Sequence, residues 1–272
     1  MRKPSGIIAL LTDFGLKDPY VAIMKAVILK INPVAVIIDI SHEVPSFDID
    51  RGALVLWASY KYFPPGTVFV CVVDPGVGSA RKSIAIASKN YYFVGPDNGL
   101  MYLAAEEDGF EEIVYLENEE YFLHPVSHTF HGRDIFSPVA AWISKGVKLS
   151  ELGPRVSAGK LVKPSISILK SIEGETIKLK AIYIDKFGNV ALSARFSTVF
   201  RALGLSYSKP VTVETKSFRG KATVAKTFAE VNEGELAFYE NSFGLAELGV
   251  FKGSAAEELG VKKGEEIVLS IT

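Results

Sequence analysis

The chain has 272 residues, 48% hydrophobic and 22% charged, which is enough apolar material for one large core or two modest ones and excludes a disordered or low-complexity protein. Lys and Arg total 30 against 31 Asp and Glu, interspersed to a formal charge of −1, and this excludes a broad basic footprint for nucleic acid or an anionic membrane. The single cysteine, Cys71, permits no internal disulfide and agrees with a reducing compartment.

Met1-Arg2-Lys3 imitates the start of a signal peptide, but the apolar stretch behind it is interrupted at Asp13 and no small-residue cleavage site follows. No apolar run approaches the ~18–20 residues that span a bilayer, so a cytoplasmic location is expected. Ile7–Thr12 reads as a buried strand ending at Asp13. Asp18-Pro19 supplies an N-cap and an N1 proline for a helix to about Ile31, in which Val21, Met24, Ile28 and Ile31 recur at helical spacing. A strand over Ala35–Ile40 follows, then a helix to about Tyr62 capped by Asp48 or Asp50, then the strand Val68–Val73, which holds Cys71 as a small buried side chain. Strands alternating with helices predict an α/β sheet domain. If the strands are parallel, the ends near Asp13, Ser41 and Asp74 share the sheet edge at which open α/β sheets bind ligands.

Beyond about Lys163 the pattern changes to alternating stretches punctuated by glycine: Thr176–Ile184, Val211–Glu214, Ala222–Phe228, Leu236–Tyr239 and Ile267–Ile271. These predict a smaller all-β domain. The expected domains are residues 1–163 and 164–272, with a linker in Glu151–Pro164, where Gly153-Pro154 and Gly159 break the pattern.

Five segments combine glycines, turn residues and polar groups beyond the needs of packing. They are Thr12-Asp13-Phe14-Gly15, the run from Val73-Asp74-Pro75-Gly76 to Ala80-Arg81, Gly95-Pro96-Asp97-Asn98-Gly99, Thr129-Phe130-His131-Gly132-Arg133-Asp134, and Asp185-Lys186-Phe187-Gly188-Asn189. Each also has a plain reading as a turn. Asp134 reads as the N-cap of a helix over Ile135–Ile143, and Gly95–Gly99 as a tight turn into a helix. His131, beside glycine, arginine and aspartate at a helix start, is a candidate for chemistry. There is no phosphate loop GxxxxGK[ST], no HExxH, no CxxC and no GxSxG, and Gly76-Val77-Gly78 lacks the third glycine of a dinucleotide fingerprint. Asp13, Asp74, Asp97 and His131 are conceivable metal ligands whose spacing fixes no geometry, and no metal or other cofactor is expected.

Taken in order, the five segments resemble the SAM hydroxide adenosyltransferases, which are similar to the bacterial fluorinase and chlorinase. The resemblance runs from Thr12 to about Ala256. It implies an α/β N-terminal domain joined to a C-terminal β-barrel, in a homotrimer with substrate sites between neighbouring subunits. It implies hydrolysis of S-adenosyl-L-methionine to adenosine and L-methionine, by attack of water on the ribose 5′ carbon. The nucleophile triad maps to Asp74, Arg81 and His131. Asp13 would grip the ribose hydroxyls, and Phe47 would flank the ligand. Asp185 would hold the methionine ammonium, Phe187 and Asn189 would meet adenine, and Ser242 would bind the methionine carboxylate. The halogenases carry arginine immediately after that serine, where this chain has Phe243. Chemistry supports such a set: a carboxylate accepts two hydrogen bonds from adjacent hydroxyls, and a sulfonium departs without protonation, so the protein need only orient a nucleophile in line. A halogenase of the same family, a metal-dependent phosphoesterase and a non-catalytic adenosine or S-adenosyl-L-methionine sensor are the alternatives.

Overall fold

The structure, a computed structural model, describes residues 3–271, so Met1 and Arg2 of the basic N-terminal start lie outside the described residues. It divides into two units, Met1–Ser165 and Ile166–Thr272.

The first unit contains β1 (Ile7–Thr12), α1 (Tyr20–Ile31), β2 (Val36–Ser41), α2 (Ile49–Ser59), β3 (Val68–Val72), β4 (Ser83–Ser88), β5 (Tyr92–Pro96), α3 (Tyr102–Asp108), β6 (Phe110–Tyr115), α4 (Ser137–Ser144) and α5 (Leu149–Leu152). The sheet order is β2-β1-β3-β5-β4-β6. β1 runs parallel to β2 and β3, and β3 runs parallel to β5, whereas β4 is antiparallel to both of its neighbours. The strand β3, Val-Phe-Val-Cys-Val, is buried throughout, as expected of a parallel strand covered on both faces. Cys71 is fully buried, and that burial pushes its thiol pKa up.

The chain leaves β1 for β2 on one side and then crosses back to β3 on the other. The carboxyl ends of β1 and β3 therefore flank a topological switch point, with Asp13 and Asp74 as the first residues past the apolar runs. On one face Ile8, Leu10, Val70 and Val94 pack with Met24 and Ile28 of α1 and Val139, Ala140 and Ile143 of α4. The helix starts differ in part from expectation. α1 begins at Tyr20 with Pro19 at the N-cap and no side-chain cap, so Asp18 does not cap it. Of the two candidates for α2, Asp48 is the cap and accepts from the Arg51 amide at 2.9 Å, while Asp50 lies in the first turn and accepts from the Ser165 amide at 3.0 Å.

The second unit contains β7 (Thr176–Ile184), β8 (Val190–Arg195), α6 (Phe196–Ala202), β9 (Pro210–Glu214), β10 (Arg219–Val224), β11 (Leu236–Glu240), β12 (Leu245–Val250), α7 (Ala255–Leu259) and β13 (Glu266–Ser270). The strands close a barrel in the order β10-β11-β12-β8-β7-β13-β9. Alternate residues such as Ile177, Leu179, Leu192, Phe238, Leu248 and Ile267 fill its interior. The closed barrel is the smaller β domain expected from the sequence, and two short helices add to it: Phe196 and Val199 of α6, and Ala255 and Leu259 of α7, join the same core.

Candidate active site

Asp74 stands just past β3, and the loop behind it doubles back on itself. The Ser79 hydroxyl donates to the Gly76 carbonyl at 2.6 Å, and the Arg81 amide donates to Ser79 Oγ at 3.2 Å. Gly78 (φ 75°) lies where any Cβ would collide with the His128 carbonyl. Glycine there allows the loop to close on the segment that carries His131.

The result is a hydrogen-bonded triad. Arg81 Nε lies 3.0 Å from each carboxylate oxygen of Asp74, and Arg81 Nη2 also bonds Asp74 Oδ2. The same Nη2 lies 2.9 Å from His131 Nδ1, while Nη1 donates to Ser83 Oγ at 2.7 Å and the guanidinium carbon sits 5.4 Å from the Phe136 ring centroid. The side chains of Asp74 and Arg81 are only 5% and 12% exposed, so little water screens the pair. A guanidinium has donors and no acceptor. Its contact with Nδ1 therefore makes that nitrogen the acceptor and leaves the hydrogen of a neutral imidazole on Nε2. Burial, and then the Arg81 charge, hold the His131 pKa below its ordinary value of 6.5, in agreement with the neutral ring.

His131 precedes a π-helical turn, Gly132–Phe136, that runs into α4. Asp134 is inside this turn and does not cap a helix, contrary to expectation. Its fully buried carboxylate accepts from Arg133 Nε at 2.5 Å, Arg133 Nη2 at 2.9 Å and the Ser127 amide at 2.8 Å. A buried carboxylate needs this many donors, and it thereby pins the segment before His131 to the turn after it.

The Asp13 loop is held from β1 and from the chain after β2. Thr12 Oγ1 accepts from the Phe14 amide at 3.2 Å and lies 2.8 Å from His42 Nδ1, and the Gly15 amide donates to the His42 carbonyl at 2.7 Å. His42 Nε2 lies 3.1 Å from Asp39 Oδ1. Asp13 Oδ2 accepts from the Phe47 amide at 3.0 Å, with Phe47 at φ 67° and 69% exposed. A left-handed backbone at a bulky residue costs about 1–3 kcal/mol, and such strain concentrates at sites where a side chain must be presented. The Phe14 and Phe130 rings meet edge to face, 6.0 Å between centroids, so the Asp13 loop abuts the His131 segment.

In the second unit, Asp185 folds its own loop. Its Oδ1 accepts from the Phe187 amide at 2.8 Å and the Asn189 amide at 2.9 Å, and its Oδ2 accepts from Asn189 Nδ2 at 2.9 Å. Phe187 projects from this loop, 66% exposed. Ser242 is exposed on the turn between β11 and β12, where Asn241 Oδ1 accepts from the amides of Phe243 and Leu245. Behind it, Glu247 accepts from Tyr239 Oη at 2.7 Å and Asn241 Nδ2 at 2.8 Å, and burial raises its pKa.

The structure thus joins Asp74, Arg81 and His131 by hydrogen bonds, joins Asp13 to Phe47, and gathers Asp185, Phe187 and Asn189 in one loop. The sequence reading passed over Ser83, His42 and Glu247. The last two gave only weak signals: a histidine after a strand, and a glutamate among apolar residues of a strand. Among the described residues, no three His, Cys, Asp or Glu side chains converge as metal ligands do.

Residues 8–153 match the model of the SAM hydroxide adenosyltransferase N-terminal domain, and residues 179–268 match that of the C-terminal domain. The chain belongs to the SAM hydroxide adenosyltransferase family. It is 37% identical over 265 residues to the (R)-S-adenosyl-L-methionine hydrolase of Salinispora tropica, covering 97% of each chain. The crystal structure of a conserved protein from Thermotoga maritima superposes with a TM-score of 0.86 at 42% identity, over 97% of this chain and 100% of that one. The fluorinase of an Actinoplanes species is 24% identical, over 97% of each chain.

Proposed function

We propose that this family member hydrolyses S-adenosyl-L-methionine to adenosine and L-methionine. The observation that carries the reading is the Asp74–Arg81–His131 triad, a buried arginine bonded on one side to a carboxylate and on the other to a neutral imidazole. Relatives of similar length are named for the (R) form of the substrate, and we extend that choice to this chain.

In the step proposed, a water oxygen forms a bond to the ribose 5′ carbon as the carbon–sulfur bond breaks. The electron pair goes to sulfur, which leaves as the neutral thioether of methionine. As the proton leaves for Asp74 the oxygen gains hydroxide-like charge, and Arg81, no longer matched by that carboxylate, together with the His131 Nε2–H stabilises it until the bond to carbon consumes it. His131 Nδ1 is occupied by Arg81 and Nε2 already carries hydrogen, so His131 is not the base. Asp74 accepts from Arg81 at both oxygens yet has lone pairs to spare, and it receives the proton. Negative oxygen and positive sulfur neutralise one another along this path, which a water-poor pocket favours. Asp13 holds the ribose hydroxyls with Phe47 beside the ligand, Asp185 the ammonium, Phe187 and Asn189 the adenine, and Ser242 the carboxylate. No cofactor takes part. The working form is a cytoplasmic homotrimer with sites between subunits.

Purified protein given the separated (R) and (S) forms with EDTA present is expected to release adenosine and methionine from the (R) form. Light scattering of the same active sample is expected to read three subunits. Absence of adenosine after long incubation, or release only when a metal is restored, refutes the reaction, and an active monomer refutes the assembly.

A further inference from the structure

The turn Gly95-Pro96-Asp97-Asn98-Gly99 contributes nothing to the proposed chemistry directly, yet it stands between two members of the triad. In the sheet, β5 lies between β3, which ends just before Asp74, and β4, which begins just after Arg81. The end of β5 is therefore sheet backbone adjacent to both. It grips each. Asn98 Nδ2 donates to the carbonyl of Val73 at 2.8 Å, one residue before Asp74. The Asp97 amide donates to the carbonyl of Lys82 at 2.9 Å, one residue after Arg81.

The rest of the turn keeps those two contacts in register. Asn98 Oδ1 accepts from the Leu100 amide at 3.2 Å, so one side chain uses its donor toward β3 and its acceptor toward the start of the following helix. A carboxamide offers both functions at this reach, whereas a carboxylate lacks the donor. The Asp97 carboxylate, itself mostly buried, accepts from the Val162 amide at 3.0 Å and ties the turn to the chain beyond α5. Gly95 lies where a Cβ would strike the Cys71 carbonyl, which is what lets β5 sit so close to β3.

We propose that Asn98 is a positioning residue for the triad, fixing the backbone of Asp74 relative to Arg81 through the Val73 carbonyl. This rests on the hydrolase reading of the triad. Without the Asn98 donor the Val73 carbonyl seeks another partner, and the end of β3 moves relative to the start of β4. The Arg81–Asp74 bonds then hold a shifted geometry. Substrate contacts from Asp13 are on a different strand end and are left in place.

The test is a cycle of Asn98→Ala, Asp74→Ala and the double variant, with turnover and KM measured for S-adenosyl-L-methionine. Asn98→Ala is expected to lower kcat by ~10- to 100-fold, the scale of loss from a misplacement of about 1 Å, with KM little changed. In the Asp74→Ala background it is expected to cost nothing further. The Arg81 Nε–H resonance, identified by its loss in Arg81→Lys, is expected to shift and exchange faster with solvent in Asn98→Ala, whatever the enzyme turns over. Should Asn98→Ala not fold, Asn98→Asp keeps the acceptor for Leu100, loses the donor and carries the same reading. Wild-type protein that releases no adenosine refutes the hydrolase reading and with it the kinetic role. Active wild type, with Asn98→Ala equal to it in kcat and in the Arg81 resonance, overturns the positioning role alone. Losses from Asn98→Ala and Asp74→Ala that add in full also overturn it.

Discussion

At the scale of single residues, His131 is expected to decide how the site responds to pH. Its Nδ1 accepts from Arg81, and a protonated ring has no acceptor to offer. Protonation would place two cations in contact, so acid is expected to abolish the triad. Because burial and the neighbouring guanidinium lower the pKa, the acid limb of kcat/KM is expected below the ordinary histidine value of 6.5. The stability linkage has the same sign. The unfolded chain takes up a proton near 6.5 that the folded chain refuses, so this contribution to stability is intact above that pH and is lost as pH falls through the folded value. A rate profile measured from pH 4 to 9, set beside the same profile of Asp13→Ala, checks this. An acid limb centred above the ordinary value in the unmodified protein would show that His131 does not accept from Arg81.

At the scale of elements, the π-helical turn before α4 is the piece whose rigidity sets His131, and Asp134 is its anchor. Removing that carboxylate leaves the Ser127 amide without its partner, while Arg133, 32% exposed, can return to water. Asp134→Ala is therefore expected to cost about 2–3 kcal/mol, toward the low end for a broken buried pair, with turnover falling further than the loss of folded protein explains. Urea unfolding midpoints together with kcat check it, and unchanged stability would show that the segment is held by other means. The same element shows where sequence reading stops. Asp before an apolar run is the pattern of an N-cap, and the residues carry no mark that the carboxylate turns inward to Arg133. In the first unit β1 and β3 were legible because continuous apolar runs end at charged or turn residues, and α2 because an aspartate cap precedes it. In the barrel β8 and β12 were not, because Val190–Arg195 and Leu245–Val250 are covered on nearly every residue and show no alternation. The residues of the triad were legible as a group only through their resemblance to a family. Spacings of seven and fifty residues say nothing of contact, and the contacts come from the order of strands and from a loop closed at Gly78.

At the scale of the whole molecule, two matched domain models and near full-length relatives of two kinds frame one question, the choice of nucleophile. Hydrolase relatives are 36–38% identical and fluorinase relatives 23–25%, so identity favours water, and the electrostatics of the triad point the same way. A halide arrives with its charge and needs no base. Beside Asp74 it would face a carboxylate only 5% exposed, and repulsion between like charges grows as water is excluded. Water is polarised by that same carboxylate and needs somewhere to leave a proton. Arg81 does not reverse this preference, since its charge is already matched by the Asp74 carboxylate bonded through Nε and Nη2. The protein is accordingly expected to release adenosine, with no measurable 5′-chloro-5′-deoxyadenosine, from S-adenosyl-L-methionine in molar chloride. Asp74→Ala should lose hydrolysis and move the remaining product toward the chlorinated nucleoside, because the repelling charge is gone while Arg81 remains. Chromatography of both reactions with and without chloride reads the outcome. Abundant chlorinated product from the unmodified protein would mean that the Asp74 charge does not govern which nucleophile reaches the 5′ carbon.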